Sequence, residues 1–231
     1  MFAAGFLTSR LSDFMNRYPG IELSIETTIE SVDLNKRDVD MAIRYGTGGW
    51  SGLDSELLLP GRLTMVASRK LISDRTFSHP IELLDFPVLQ EFASVEVDLW
   101  FEKVGVPSSA KKNLLRVPGN ILLDGIRRGE GIGATVPAFI SEELKSGELV
   151  ALFDDPVADI GYYMVNLGAV NRPSLELFKN WLRESVTGLD IAESAGCISW
   201  TESDSTHSRA IDYSGTVPKL SPVDPKSKRQ E

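Results

Sequence analysis

The sequence has almost no cysteine: Cys197 stands alone among 231 residues. A single thiol excludes an internal disulfide and any cysteine-based metal cluster. Histidine is nearly as scarce, with His79 before Pro80 and His207 far along the chain. Two such residues give a Ser-His-Asp arrangement or a histidine metal site little to draw on, and both read as exposed. Cations are outnumbered, 24 Lys and Arg against 33 Asp and Glu, for a formal net charge of −9. Phosphate contacts require clustered positive charge, so this balance argues against nucleic-acid binding by the chain alone and against a polybasic membrane anchor. No run approaches the roughly 18 apolar residues of a membrane span, and no charged-then-apolar leader opens the chain. A cytoplasmic location is expected, with no cofactor and no metal.

What is present is material for a core. At 42% hydrophobic, the chain is long enough for one large or two small domains. Carboxylate pairs occur at Asp38 with Asp40 and at Asp154 with Asp155. The first brackets the start of a strand and the second precedes Pro156, so both read as turn and cap residues rather than acid–base partners. No catalytic constellation is found, and an enzyme is not expected.

The pattern begins with a helix over Phe2–Tyr18, its apolar face made of Phe2, Phe6, Leu7, Leu11, Phe14, Met15 and Tyr18. Pro19-Gly20 stops it. Ile21, Leu23 and Ile25 alternate with polar residues, predicting a half-buried strand that runs into Thr27-Thr28. A turn or short helix over Ser31–Lys36 leads to Val39–Ile43, a short apolar run flanked by charge that predicts a strand inside a parallel sheet. Beyond it, Arg44 and Tyr45 project past the carboxyl edge, and Gly46, Gly48 and Gly49 let the backbone turn closely. Extended segments are expected at Leu57–Leu59, Leu63–Ala67, Pro87–Gln90, Leu114–Val117, Ile132–Val136, Leu149–Phe153 and Tyr162–Leu167. Helices are expected at Asp98–Val104, burying Leu99, Trp100 and Val104, at Ile121–Arg128, and after Pro137 as far as Gly147. A last helix, Pro173–Val186, turns Leu175, Leu177, Phe178, Trp181 and Leu182 inward.

Gly129, Gly131 and Gly133 invite a dinucleotide reading, but such a fingerprint needs a strand before the glycines and a helix after them. Here a helix precedes and a strand follows, so the glycines read as a helix cap feeding a strand. From about residue 188 the composition turns to Ser, Thr, Asp, Pro and Lys without a sustained period. Residues 188–231 therefore read as a disordered extension, on which Trp200 and Tyr213 are the docking residues to consider.

The run Asp38-Val-Asp-Met-Ala-Ile-Arg-Tyr-Gly-Thr-Gly-Gly-Trp-Ser-Gly-Leu53 resembles the effector-binding domain of LysR-type transcriptional regulators, especially the subgroup like the activator of the glycine-cleavage operon. Arg128-Gly-Glu-Gly-Ile-Gly-Ala-Thr-Val-Pro137 is similar to that family's second-lobe motif, and the resemblance covers about residues 1–187. It implies an α/β fold of the two-lobed, periplasmic-binding-protein-like (type II) kind. Lobe I would comprise residues 1–60 and 167–187, and lobe II residues 61–166. The family's first strand and its helix-turn-helix precede the first helix, and this chain is expected to lack both, as though truncated.

The implied function is to bind a small molecule, with anions among the candidates, between the lobes and to transmit that event through the geometry of a homodimer or higher homo-oligomer. DNA would be reached only through the missing helix-turn-helix. In α/β sheets, ligands gather at the carboxyl ends of strands and at helix starts, whose amides suit anions. The candidate effector-binding residues are accordingly Phe2, Ala3, Thr27, Thr28, Arg44 and Tyr45 on the first lobe, with Glu91, Phe92, Gly119, Asn120 and Thr135 on the second. Arg44 is the foremost of them, with a pair to an acidic neighbour as its structural alternative. The family's hydroxyl near the first helix start has no counterpart in Met1, Phe2 or Ala3. A stand-alone solute-binding protein, an enzyme on the same scaffold and a gene remnant are the alternatives.

Overall fold

A computed structural model of the chain describes residues 1–28, 33–34, 39–92, 94, 96–106, 113–154, 160–168, 172–187 and 189. Asp38, Asp155, Pro156, most of the 31–36 turn and the tail with Cys197, Trp200, His207 and Tyr213 lie outside the described residues, as does the Leu99 side chain.

Among the described residues, eight strands form two sheets. The first has the order β1-β8-β2, from β1 (Ala42–Gly46), β8 (Gly161–Asn166) and β2 (Asp54–Pro60). Both flanking strands run antiparallel to β8. The expected parallel setting for the 39–43 run is therefore corrected: the strand starts at Ala42, extends to Gly46 and lies at a sheet edge among the described residues. An apolar run does not report which neighbour it pairs with, and here the neighbour comes from the far end of the domain. Because β8 belongs to this sheet, the chain returns to it at Gly161, ahead of the expected 167.

The second sheet has the order β5-β4-β6-β3-β7. Its strands are β3 (Thr64–Ser68), β4 (Val88–Glu91), β5 (Leu114–Val117), β6 (Ile132–Thr135) and β7 (Leu149–Asp154). Strands β4, β5 and β6 are mutually parallel, while β3 runs antiparallel to β6 and β7. β3 is buried along its whole length, as expected of a strand covered on both faces.

The first helical segment departs from a regular helix. Ala3–Leu7 is a wide π turn and Thr8–Arg10 a 3-10 turn before α1 (Leu11–Arg17). Phe2, Phe6, Leu7 and Phe14 are buried, but Met15 is 60% exposed, because the change in helical pitch rotates it off the apolar stripe. Residues 21–28 form no strand among the described residues, which corrects the expected strand; Ile21 and Leu23 still pack on the core. Along α6 (Pro173–Val186), Leu175, Phe178, Trp181 and Leu182 are buried. Leu177 is 38% exposed, two residues from Leu175 and so on the opposite face.

The remaining helices are α2 (Arg69–Ile72), α3 (Glu96–Lys103), α4 (Gly119–Arg128) and α5 (Ser141–Ser146). Gly129 caps α4 at φ 81°, and Gly147 caps α5 at φ 77°. A Cβ on Gly131 would come within 2.7 Å of the Pro87 carbonyl oxygen, so this glycine lets strand approach strand. His79 accepts a hydrogen bond from the Ile81 amide while the Glu82 carboxylate accepts one from the His79 amide, capping the turn Pro80–Asp85. Among the described residues, no helix is long and apolar enough to cross a membrane.

Candidate functional site

Three parallel strands of the second sheet end at one edge. Glu91 closes β4, Thr135 closes β6, and Gly119 opens α4 directly after β5. Residue 1, at the head of the first helical segment, is inserted among them. Its backbone nitrogen donates to Glu91 Oε1 at 2.9 Å, and Thr135 Oγ1 donates to its thioether sulfur at 3.2 Å. Gly119 has no room for a side chain, because a Cβ there would overlap both Glu91 Oε1 and the Met1 nitrogen. Glu91, Gly119 and Thr135 thus converge on one point, where the carboxyl-edge rule placed them.

Beside that point the sheets are joined by aromatic rings. Phe2 lies 5.1 Å from Phe6, 5.2 Å from Tyr162 of β8 and 6.0 Å from Phe139, which follows β6. Phe139 in turn stands 5.4 Å from Tyr162, and Tyr45 stands 4.9 Å from the same tyrosine. Tyr45 also donates its hydroxyl to the Gly61 carbonyl at 2.9 Å, on the segment that carries the chain from the first sheet to the second. The returning segment passes against it, with Gly61 donating its amide to the Ile160 carbonyl at 2.8 Å. A Cβ on Gly61 would lie 2.5 Å from the Tyr45 ring and 2.9 Å from Gly161 Cα, so both crossings need glycine to run side by side.

The other expected residues are distributed differently. Arg44 alternates with Tyr45 along β1 and faces the opposite side of the sheet, opposite Tyr163. There its guanidinium stands 5.6 Å from the Trp50 ring, and partial burial lowers its pKa. Trp50 folds back from the glycine-rich loop onto Tyr163 at 5.5 Å, made possible by Gly48 and Gly49 at φ 83° and 71°. Ala3 takes part in the first turn, where its carbonyl accepts from Thr8 Oγ1 at 2.7 Å. Thr27, Thr28, Phe92 and Asn120 are exposed. Glu91, Gly119 and Thr135 thus meet at residue 1, Phe2 and Tyr45 both stand against Tyr162, Arg44 faces the side of β1 opposite to Tyr45, and Ala3 lies in the first turn.

Two neighbours escaped the sequence reading. Gln90 is fully buried, donates to the Ser94 carbonyl and to Asp98 Oδ2 at 3.0 Å, and its Oε1 has no hydrogen-bond partner among the described residues. A lone polar residue at the end of an otherwise apolar strand was the available signal. Phe139 carried none, since nothing local announces a contact with residues 2 and 6.

Comparison with known proteins bears on what this arrangement serves. Residues 1–187 match the model of the LysR substrate binding domain. The HTH-type transcriptional activator AmpR of Pseudomonas aeruginosa is 28% identical over 186 residues, covering 79% of this chain and 62% of that protein. The AhcY transcriptional activator HvrB of Rhodobacter capsulatus is 29% identical over 183 residues, covering 79% and 63%. The chain thus spans less than two thirds of the length of these relatives. Among solved structures, the AmpR effector binding domain from Citrobacter freundii superposes with a TM-score of 0.64 at 29% identity, covering 79% of this chain and 92% of that one.

Proposed function

Because the chain belongs to the family of LysR substrate-binding domains, we propose that it is the effector-sensing part of a transcriptional regulator, binding a small molecule where its two sheets meet. The observation that carries this reading is the convergence of Glu91, Gly119 and Thr135 on the head of the first helical segment. A ligand there touches both sheets at once, and its binding energy acts on their relative position.

The lobes of this reading are residues 1–60 with 161–187, and residues 61–160. The effector-binding residues are Phe2, Tyr45, Glu91, Gly119 and Thr135. Signal transmission runs through a homodimer, for which Met15 on α1, 60% exposed, offers an apolar contact. The relatives named above are regulators, and at the family level the role is not enzymatic. A cytoplasmic location accords with that role. The kinship to the glycine-cleavage-activator subgroup rests on the 38–53 run alone. With a net charge of −9, this chain by itself does not bind an operator. A sequence-specific shift of duplex DNA by the purified chain would contradict that.

The test is thermal unfolding of the 231-residue chain against a panel of amino acids, small carboxylates, amines and purines. A ligand at a hundredfold excess over its Kd stabilises the fold by about 2.7 kcal/mol, which raises Tm by roughly 5–11 °C for a domain of this size. A panel without any stabilising member speaks against an effector site.

A further inference from the structure

We infer that Tyr45 is a latch on the pivot between the two sheets: its hydroxyl holds Gly61, and with it the angle at which the second sheet meets the first. The chain leaves the first sheet where β2 ends at Pro60 and enters the second where β3 starts at Thr64. It comes back into the first at Gly161, where β8 starts. Proline fixes its own φ, so rotation of the outward crossing falls on Gly61, whose φ and ψ no Cβ restricts. Hinges are a few such residues that absorb a change in φ and ψ. The pivot operates whether or not a small molecule binds between the sheets, so it does not depend on the effector-site reading. Where a ligand does act on the position of the sheets, the latch sets the position from which it starts.

Two hydrogen bonds hold that glycine, one on each side of its Cα. Its amide donates to the Ile160 carbonyl of the returning segment at 2.8 Å, and its carbonyl accepts the Tyr45 hydroxyl at 2.9 Å. The first bond ties one crossing to the other, which leaves both free to turn together. The second ties the crossing to β1, where Tyr45 is fixed by its register with Tyr162 of β8. Ring contacts between the sheets, such as Phe2 with Phe139 and Phe139 with Tyr162, are edge-on or tilted. Such packing is spread over many weak contacts and fixes an angle less sharply than a directional bond does. Gly61 is buried, and a buried carbonyl that loses its donor bears a desolvation penalty, so the crossing turns toward another partner. Without the hydroxyl the sheets are expected to take a second relative arrangement. The fold itself stays intact, since a phenylalanine ring keeps the place 4.9 Å from Tyr162.

The experiment is electron–electron double resonance on the full chain carrying Cys197→Ser, spin-labelled at Asn16→Cys on α1 and Lys145→Cys on α5, both exposed. Tyr45→Phe is compared with Tyr163→Phe, whose lost hydroxyl donates to the Thr47 carbonyl at 3.4 Å, away from either crossing. Hydrogen exchange of the Gly61 amide is followed in the same chains. Tyr45→Phe is expected to raise the share of the second arrangement about three- to tenfold, as the net strength of one hydrogen bond implies. The distance distribution then broadens or shifts, and exchange at Gly61 quickens. Tyr163→Phe is expected to leave both as in wild type. A distribution unchanged by Tyr45→Phe overturns the inference even where Tm falls, because the bond then stabilises without setting the angle. Equal broadening in both variants overturns it as well, since any lost hydroxyl would then do the same. In the unsubstituted chain, a Gly61 amide that exchanges as fast as that of exposed Gly49 overturns it without recourse to a variant.

Discussion

Gly5 and Phe139 make the sharpest test of how the two sheets are joined. Phe139 is 4% exposed, and a Cβ built on Gly5 would lie 2.9 Å from its ring, so the ring rests on bare backbone. Truncating Phe139 to alanine removes a buried ring and leaves a cavity between Phe2, Phe6 and Tyr162, at a cost of roughly 3–5 kcal/mol. For a domain of this length that lowers Tm by roughly 6–20 °C. Gly5→Ala alone forces the ring to move, costing about 1–3 kcal/mol, partly offset by the smaller conformational freedom of the unfolded alanine chain, about 0.4–1 kcal/mol. In the Phe139→Ala background the ring atoms are gone, while the Cβ of residue 139, also 2.9 Å away, remains, so Gly5→Ala is expected to cost less there than in the wild type. Urea unfolding of the wild type, both single variants and the double variant closes the cycle. The same ΔΔG for Gly5→Ala in both backgrounds would refute the packing described here.

Further outcomes are expected elsewhere. Glu56 is held below its ordinary value of 4.5, first by hydrogen bonds from Arg183 and then by that residue's charge. A lowered folded-state pKa contributes stability that is complete above the ordinary glutamate range and disappears as pH falls through the folded value. Glu56→Gln should therefore cost under about 1 kcal/mol at neutral pH, because the pair is exposed; the difference should vanish in acid when stability is followed from pH 7 to 2. Gly129→Ala places a side chain at φ 81° beside Ser68 and should destabilise by about 1–2 kcal/mol, read by urea unfolding. Trp181→Phe removes the indole N–H that donates to Asp13 Oδ2 at 2.8 Å and joins α6 to α1. The loss should be about 1 kcal/mol or more. Ile81→Ala, at a residue 52% exposed, should stay within about 0.5 kcal/mol of wild type.

Local signals carried much of the fold. β5 and α6 have the limits that hydrophobic spacing gave them, and Gly129, Pro137 and Gly147 punctuate the chain where turn chemistry requires. Pairing was not legible. Ile21, Leu23 and Ile25 have the alternation of a strand, yet a strand exists only where another offers its backbone, which alternation does not encode. The direction of the first sheet was hidden for the same reason. At the candidate site, Glu91, Gly119 and Thr135, which the sequence reading chose for standing at strand ends or helix starts, lie together around residue 1. Arg44 lies apart from them, because one step along β1 reverses the face and the half-buried run around it did not fix which face was which.

The order β1-β8-β2 also has a consequence for how the protein is made. The central strand of the first sheet is the last to be synthesised, and its two neighbours pair with it and not with each other. Residues 61–160 must leave the ribosome before Gly161–Asn166 can join them, a wait of roughly 5–20 s at common synthesis rates. During that interval Ile43, Leu58 and Leu59 have no sheet to enter, whereas β3–β7 can already assemble. Nascent chains of this protein are expected to depend on holding chaperones until β8 emerges, and a stop codon anywhere before residue 161 should send them to proteolysis.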